Sequence, residues 1–206
     1  LIAKWSNENN CKLVHISTDY VYDGNSLLPY IETDYTNPLN NYGKSKLFGD
    51  IGCLKNNPLS IIIRTSWVYS EFGSNFLKTI LNLSKNNSNL NIISDQIGTP
   101  TYASDLAQTI LNIISNKQFI ESDKPSEIFH YSNNGETSWY EFAKEIFKLT
   151  ENKIKVNPIP SIEYLTPAKR PQFSVLDKAK IKTDLQIKIP FWGDSLEKVI
   201  LKGTFK

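Results

Sequence analysis

Apolar residues in this chain gather in short runs, separated by longer stretches in which they recur every three or four positions. KLVHIS at 12–17, SIIIRT at 60–65, LNIIS at 90–94 and EIFHYS at 127–132 are brief and rich in β-branched or aromatic residues, and they predict buried strands of a parallel sheet. Between them helical spacing covers roughly residues 38–55, 74–87, 104–116 and 138–150. Ser104 and Ser138 stand at N-cap positions, and Glu141 completes a capping box with Ser138. The opening LIAKWSNENN has the pattern of the closing turns of an amphipathic helix. Beyond about residue 151 the pattern loosens into a Pro-punctuated connection, NPIPSIEYLTPAKRPQF, before a short helix at 177–182 and a last one near 194–202. Strands alternating with helices predict an α/β protein: a doubly wound, mostly parallel sheet with helices on its faces.

Composition narrows the chemistry. In 206 residues, 40% hydrophobic and 12% aromatic, there is material for one substantial core. The formal charge is +2, with 23 Lys and Arg against 21 Asp and Glu spread along the chain, which argues against nucleic acid or a membrane surface as partner. Cys11 and Cys53 are isolated, with no CxxC and no paired His, so neither a disulfide framework nor a zinc site is expected and a reducing cytoplasm fits. No apolar run approaches the roughly 18 residues of a membrane span. GxSxG, HExxH and P-loop patterns are absent, and His15 and His130 fall in strand-like runs where a packed or backbone-bonded His is the expected role.

Ligands of open α/β sheets sit beyond the carboxyl ends of the strands. Two successive strands here end in polar residues, Ser17, Thr18 and Asp19 on the first and Thr65, Ser66 and Trp67 on the second. Either group alone is explained by turn formation; both together predict one polar crevice. Tyr42 and Lys46, spaced i, i+4, lie on one helix face with Cβ atoms about 5–6 Å apart. An ammonium near a phenol favours the phenolate, which would suit Tyr42 to proton transfer in carbonyl reduction. Taken alone, a solvated helix face explains most such pairs.

The motifs STDYVYDG, PYIETDYTNPLNNYGKSKLFGD, RTSWVY, DQIGTPTYASDLA and TPAKRPQFSVLD together resemble the extended short-chain dehydrogenase/reductase family, from about residue 12 to the C-terminus. The resemblance implies a partial NAD(P)-binding, Rossmann-like fold with a smaller C-terminal substrate-binding region. Residues 1–132 would be the remainder of the Rossmann-like domain and 133–206 mainly the substrate region, with interleaved segments. It also implies reduction of the C4 keto group of dTDP-4-dehydro-L-rhamnose to dTDP-L-rhamnose by NADPH, with NADH admitted. Tyr42 would donate the proton, Lys46 hold the nicotinamide ribose and tune Tyr42, and Thr18 hydrogen-bond the reacting carbonyl. Thr65 and Ser66 would stand beside the cofactor, Asp19 and Tyr20 near the substrate, and Trp67 against the sugar ring. Arg170 would approach the diphosphate, because a guanidinium binds phosphate bidentately; an ordinary surface Arg explains it as well. Related dehydratases carry Thr-Asp-Glu where this chain has Thr18, Asp19 and Tyr20, so removal of water is disfavoured. A homodimer is admitted and no metal is expected.

The departure is at the front. No GxGxxG or GxxGxxG occurs in these residues, the chain has no Met, and it opens in mid-element. The expectation is a fragment without the Gly-rich turn that meets the dinucleotide pyrophosphate, binding NADPH poorly and turning over little. The alternative is a non-catalytic regulatory or sugar-nucleotide-binding subunit of the same superfamily.

Overall fold

A computed structural model of the chain describes residues 1–116, 125–164 and 167–202. The first part runs α1 (Ile2–Glu8), β1 (Val14–Thr18), a 3-10 turn at Asp19–Val21, α2 (Asn41–Asn56) and β2 (Ile61–Thr65). Then come β3 (Val68–Tyr69), α3 (Phe76–Leu83), β4 (Asn89–Ile93), β5 (Ile97–Gly98), β6 (Thr101–Tyr102) and α4 (Ala103–Ile114). The rest comprises β7 (Glu127–His130), β8 (Thr137–Ser138), α5 (Trp139–Leu149), β9 (Lys155–Ile159), α6 (Ala179–Asp184) and α7 (Trp192–Leu201).

The central sheet is parallel, in the order β1-β2-β7, with Val14 opposite Ile61, Thr18 opposite Thr65 and Arg64 opposite His130. β2 is buried from end to end because both of its faces are covered. Alternation along the strand sends Ile61 and Ile63 to one side, where they meet Leu106 and Ile113 of α4 and Ile181 of α6. Ile62 points to the other, against Ala3 of α1 and Cys53 of α2. Each fully buried Ile contributes about 1.5–3 kcal/mol.

α2 is fixed at both ends of its approach to the sheet. The Asn40 side chain accepts a hydrogen bond from the Gly43 amide at 2.8 Å, capping the helix. A Cβ on Gly43 would overlap the carbonyl oxygen of Tyr20, so only glycine lets the helix start this close to the turn after β1. Two turns on, buried Asp50 accepts from Arg64 Nε at 3.1 Å, and Arg64 Nη1 donates to the Tyr22 hydroxyl at 2.7 Å. Tyr22 in turn lies 2.8 Å from His130 Nε2, while His130 Nδ1 is 3.0 Å from the Tyr30 carbonyl, the backbone-bonded role expected of it. Burial, with the Arg64 charge adding, pushes the His130 pKa down to about 3.

A second apolar cluster joins elements distant in sequence: Leu77 and Ile80 of α3, Ile92 of β4, Phe142 and Ile146 of α5, and Leu196 and Val199 of α7. Its edge is a strand that the sequence pattern does not predict. β9 pairs in parallel with β4, placing Pro158 opposite Ile92. A proline has no amide to give a ladder and normally argues against a strand; here it sits in a two-stranded sheet, where an edge is available. Ser104 is also corrected. The N-cap of α4 is Tyr102, whose amide donates to the Asn133 side chain at 2.8 Å, so a residue from after β7 satisfies the helix start. Ser138 does cap α5, accepting from the Glu141 amide at 3.1 Å, but the Glu141 carboxylate pairs with Lys144 at 3.2 Å.

The late segment 172–177 stitches two earlier segments together. Ile97 donates to the Gln172 carbonyl and accepts from the Ser174 amide; Tyr30 donates to the Val175 carbonyl and accepts from the Asp177 amide.

Candidate active site

A cavity of about 560 Å³ opens at the carboxyl edge of β1 and β2. The two polar strand ends meet in it as the sequence predicts: Ser17, Thr18 and Asp19 from one, Thr65, Ser66 and Trp67 from the other. Tyr20, Tyr42 and Arg170 also line it. Lys46 does not; its ammonium, half-buried, donates to the Ile16 carbonyl on β1 and so ties the middle of α2 to the strand that carries Thr18.

Thr18 ends β1 and caps the following turn, its hydroxyl accepting from the Tyr20 amide at 3.2 Å while donating to Asp19 Oδ1 at 3.0 Å. Asp19 is 2% exposed. Burial raises its pKa to about 7, against the opposing pull of the Ser174 and Thr18 hydroxyls. Tyr20 is pushed up to about 12 by burial, with the Asp19 charge adding and Arg170 opposing. Its ring meets that of Tyr42 edge to face, centroids 5.8 Å apart, and Tyr42 is itself 56% exposed toward the open side. The Asn40 side chain donates to the Lys169 carbonyl at 2.9 Å, which holds the Arg170 segment against the start of the helix bearing Tyr42.

Ser66 is committed to the fold, donating to the Thr99 carbonyl at 2.8 Å. Ser17 Oγ and Thr65 Oγ1 are buried and have no hydrogen-bond partner. Two orphaned hydroxyls in the lining fit a cavity that takes polar ligand groups. Among the described residues no cluster of three His, Cys, Asp or Glu side chains is placed to hold a metal ion.

The sequence does not point to the opposite wall. Phe76 and Thr79 from α3, Asn91 from β4, Trp139 from α5 and Tyr164 come from segments read only as helix, buried strand or connection. Periodicity assigns them to their elements, and nothing local marks the side that faces a ligand. Trp67 carries the one unusual backbone in the cavity, with φ +45°. Its indole stacks on Trp139 with centroids 3.5 Å apart and planes 9° from parallel.

A parallel sheet wrapped by helices, with its polar crevice at the carboxyl edge, defines a Rossmann-like α/β protein. The chain belongs to the RmlD substrate binding domain family, which matches it over residues 1–204. It is similar to a dTDP-4-dehydrorhamnose reductase of Sinorhizobium fredii, 41% identical over 192 residues, a match covering 91% of this chain and 65% of that protein. Among solved structures it is similar to a dTDP-4-dehydrorhamnose reductase of Clostridium acetobutylicum, with 40% identity and a TM-score of 0.90 over 98% of this chain and 69% of that one. The Bacillus anthracis dTDP-4-dehydrorhamnose reductase, in complex with NADP, superposes with a TM-score of 0.89 at 35% identity, over 98% of this chain and 69% of that one. The chain thus spans about two thirds of the length of these relatives.

Proposed function

We propose that these residues form the catalytic and sugar-binding part of an enzyme that reduces the C4 keto group of dTDP-4-dehydro-L-rhamnose to dTDP-L-rhamnose with NADPH. The observation that carries this reading is the convergence of Thr18, Tyr42 and the orphaned Ser17 and Thr65 hydroxyls on one cavity. The names of the relatives and the NADP in one of them support it.

NADPH would supply the hydride to C4. Tyr42, exposed on the open side, would give its hydroxyl proton to the developing alkoxide. Thr18 would donate a hydrogen bond to the same oxygen, which requires its proton to leave Asp19. With a pKa near 7, Asp19 can itself carry a proton and donate back to the Thr18 oxygen, freeing the Thr18 hydrogen for the substrate. Lys46 acts in this scheme by holding α2, and with it Tyr42, against β1. Tyr20 offers no carboxylate base, which supports reduction over loss of water.

The test is NADPH consumption, followed by absorbance, with dTDP-4-dehydro-L-rhamnose, on this chain and on one of the relatives' full length containing it. Turnover is expected in the longer chain and little in the shorter, whose residues include no Gly-rich turn. In the longer chain Tyr42→Phe should lower kcat by about 10²–10⁴-fold with the affinity for the nucleotide sugar retained. Unchanged turnover on Tyr42→Phe would remove the proposal. The same reading carries a cytoplasmic setting, supported by the free thiols of Cys11 and Cys53, and a homodimer, to be checked by sedimentation. Among the described residues no helix is long and apolar enough to cross a membrane.

A further inference from the structure

Three separate features bear on the Trp67 side chain. Its backbone has φ +45°, a conformation that bulky residues hold only when their surroundings over-determine it. One face of its indole is covered by Trp139 at 3.5 Å. Along its Cε2–Cζ2 edge lies Gly98, where any Cβ would come within 2.6 Å of the ring. The backbone is pinned as well, since the Trp67 carbonyl accepts from the Thr101 amide at 3.1 Å. Trp139 is in turn backed by Phe76, with centroids 4.6 Å apart.

We infer that Trp139 is a positioning residue of the sugar end of the cavity, acting by bracing Trp67 against Gly98 so that the Trp67 indole is preset before ligand arrives; this rests on the reductase reading. Trp139 opens α5, on the opposite wall, so the brace links the strand-end side of the cavity to the second apolar cluster. An indole without a stacked partner could rotate about its side-chain bonds, and a ligand would then have to order it on binding. Since one face of Trp67 is already filled, the sugar meets what the pair leaves exposed, and the stack persists when ligand binds.

The test uses dTDP-L-rhamnose binding by calorimetry, kinetics in the full-length chain, and the circular-dichroism couplet produced by two stacked indoles. Trp139→Leu should weaken binding about two- to tenfold and raise KM by a similar factor, with kcat within about twofold. Trp139→Phe, which keeps a stacking ring, should restore most of the affinity. Gly98→Ala leaves α5 untouched and displaces Trp67 from its other side; it should show the same KM effect, and keeps the idea testable should Trp139→Leu not fold. The wild-type couplet should survive saturation with dTDP-L-rhamnose. Equal affinity in Trp139→Leu or Gly98→Ala, or loss of the couplet on binding, would overturn the brace while wild-type turnover left the reductase reading standing. A wild-type enzyme that neither binds dTDP-L-rhamnose nor reduces the keto sugar would overturn both.

Discussion

Asp19 shows how one buried carboxyl couples folding to the site. Unfolded, it ionises near pH 3.8; folded, burial holds its proton until about pH 7. The folded state therefore binds the proton more tightly. Its contribution to stability is most favourable below about pH 4 and is progressively lost as pH rises to about 7. Asp19→Asn, neutral throughout, should melt higher than wild type at about pH 8 and by a smaller margin at about pH 5, as thermal scans would reveal. A gap that widened toward acid would contradict the assignment of burial as the cause. Thr18 and Tyr42 are legible in the sequence because a strand-end Thr and an i, i+4 Tyr-Lys pair are local patterns. The carbonyl partner of Lys46 and the stack on Trp67 are not, because each is made across more than 25 residues of chain whose return path no local pattern encodes.

At the scale of elements, α2 is the part on which the site depends most. It carries Tyr42 on the exposed side and Asp50 on the buried side, where Arg64 of β2 is held. Removing one member of such a buried pair leaves the other charge without compensation. Asp50→Ala should cost about 3–5 kcal/mol, seen as a lower urea midpoint, and adding Arg64→Met should recover much of it. Core strands were legible because β2 is apolar on both faces; β9 was not, because Pro158 and the polar Lys155 and Asn157 mask it. Ser104 failed as a cap for a related reason. Local propensity favours a Ser at a helix start, yet the cap falls two residues earlier, at Tyr102, whose amide donates to the Asn133 side chain.

For the molecule as a whole, the second apolar cluster sets the limits on dissection. Phe142 and Ile146 of α5 pack on Leu77, Ile80 and Ile92, so a piece beginning at residue 133 would expose the face that those residues cover. Residues 133–202 expressed alone should give no cooperative thermal transition and a poorly dispersed amide spectrum; a well-dispersed one would show that the division expected from the sequence is a folding boundary. The overall class was legible from the alternation of strands and helices, whereas the stitching by residues 172–177 was hidden in a short stretch without periodicity at the end of the Pro-punctuated connection. That stitching has a bearing on timing. Ser174 stands beside Asp19, and its neighbours bind segments around Tyr30 and Ile97, all of which leave the ribosome much earlier. During synthesis the crevice is therefore among the last regions to be closed, and a growing chain holds Asp19 in water, ionised, until its wall arrives.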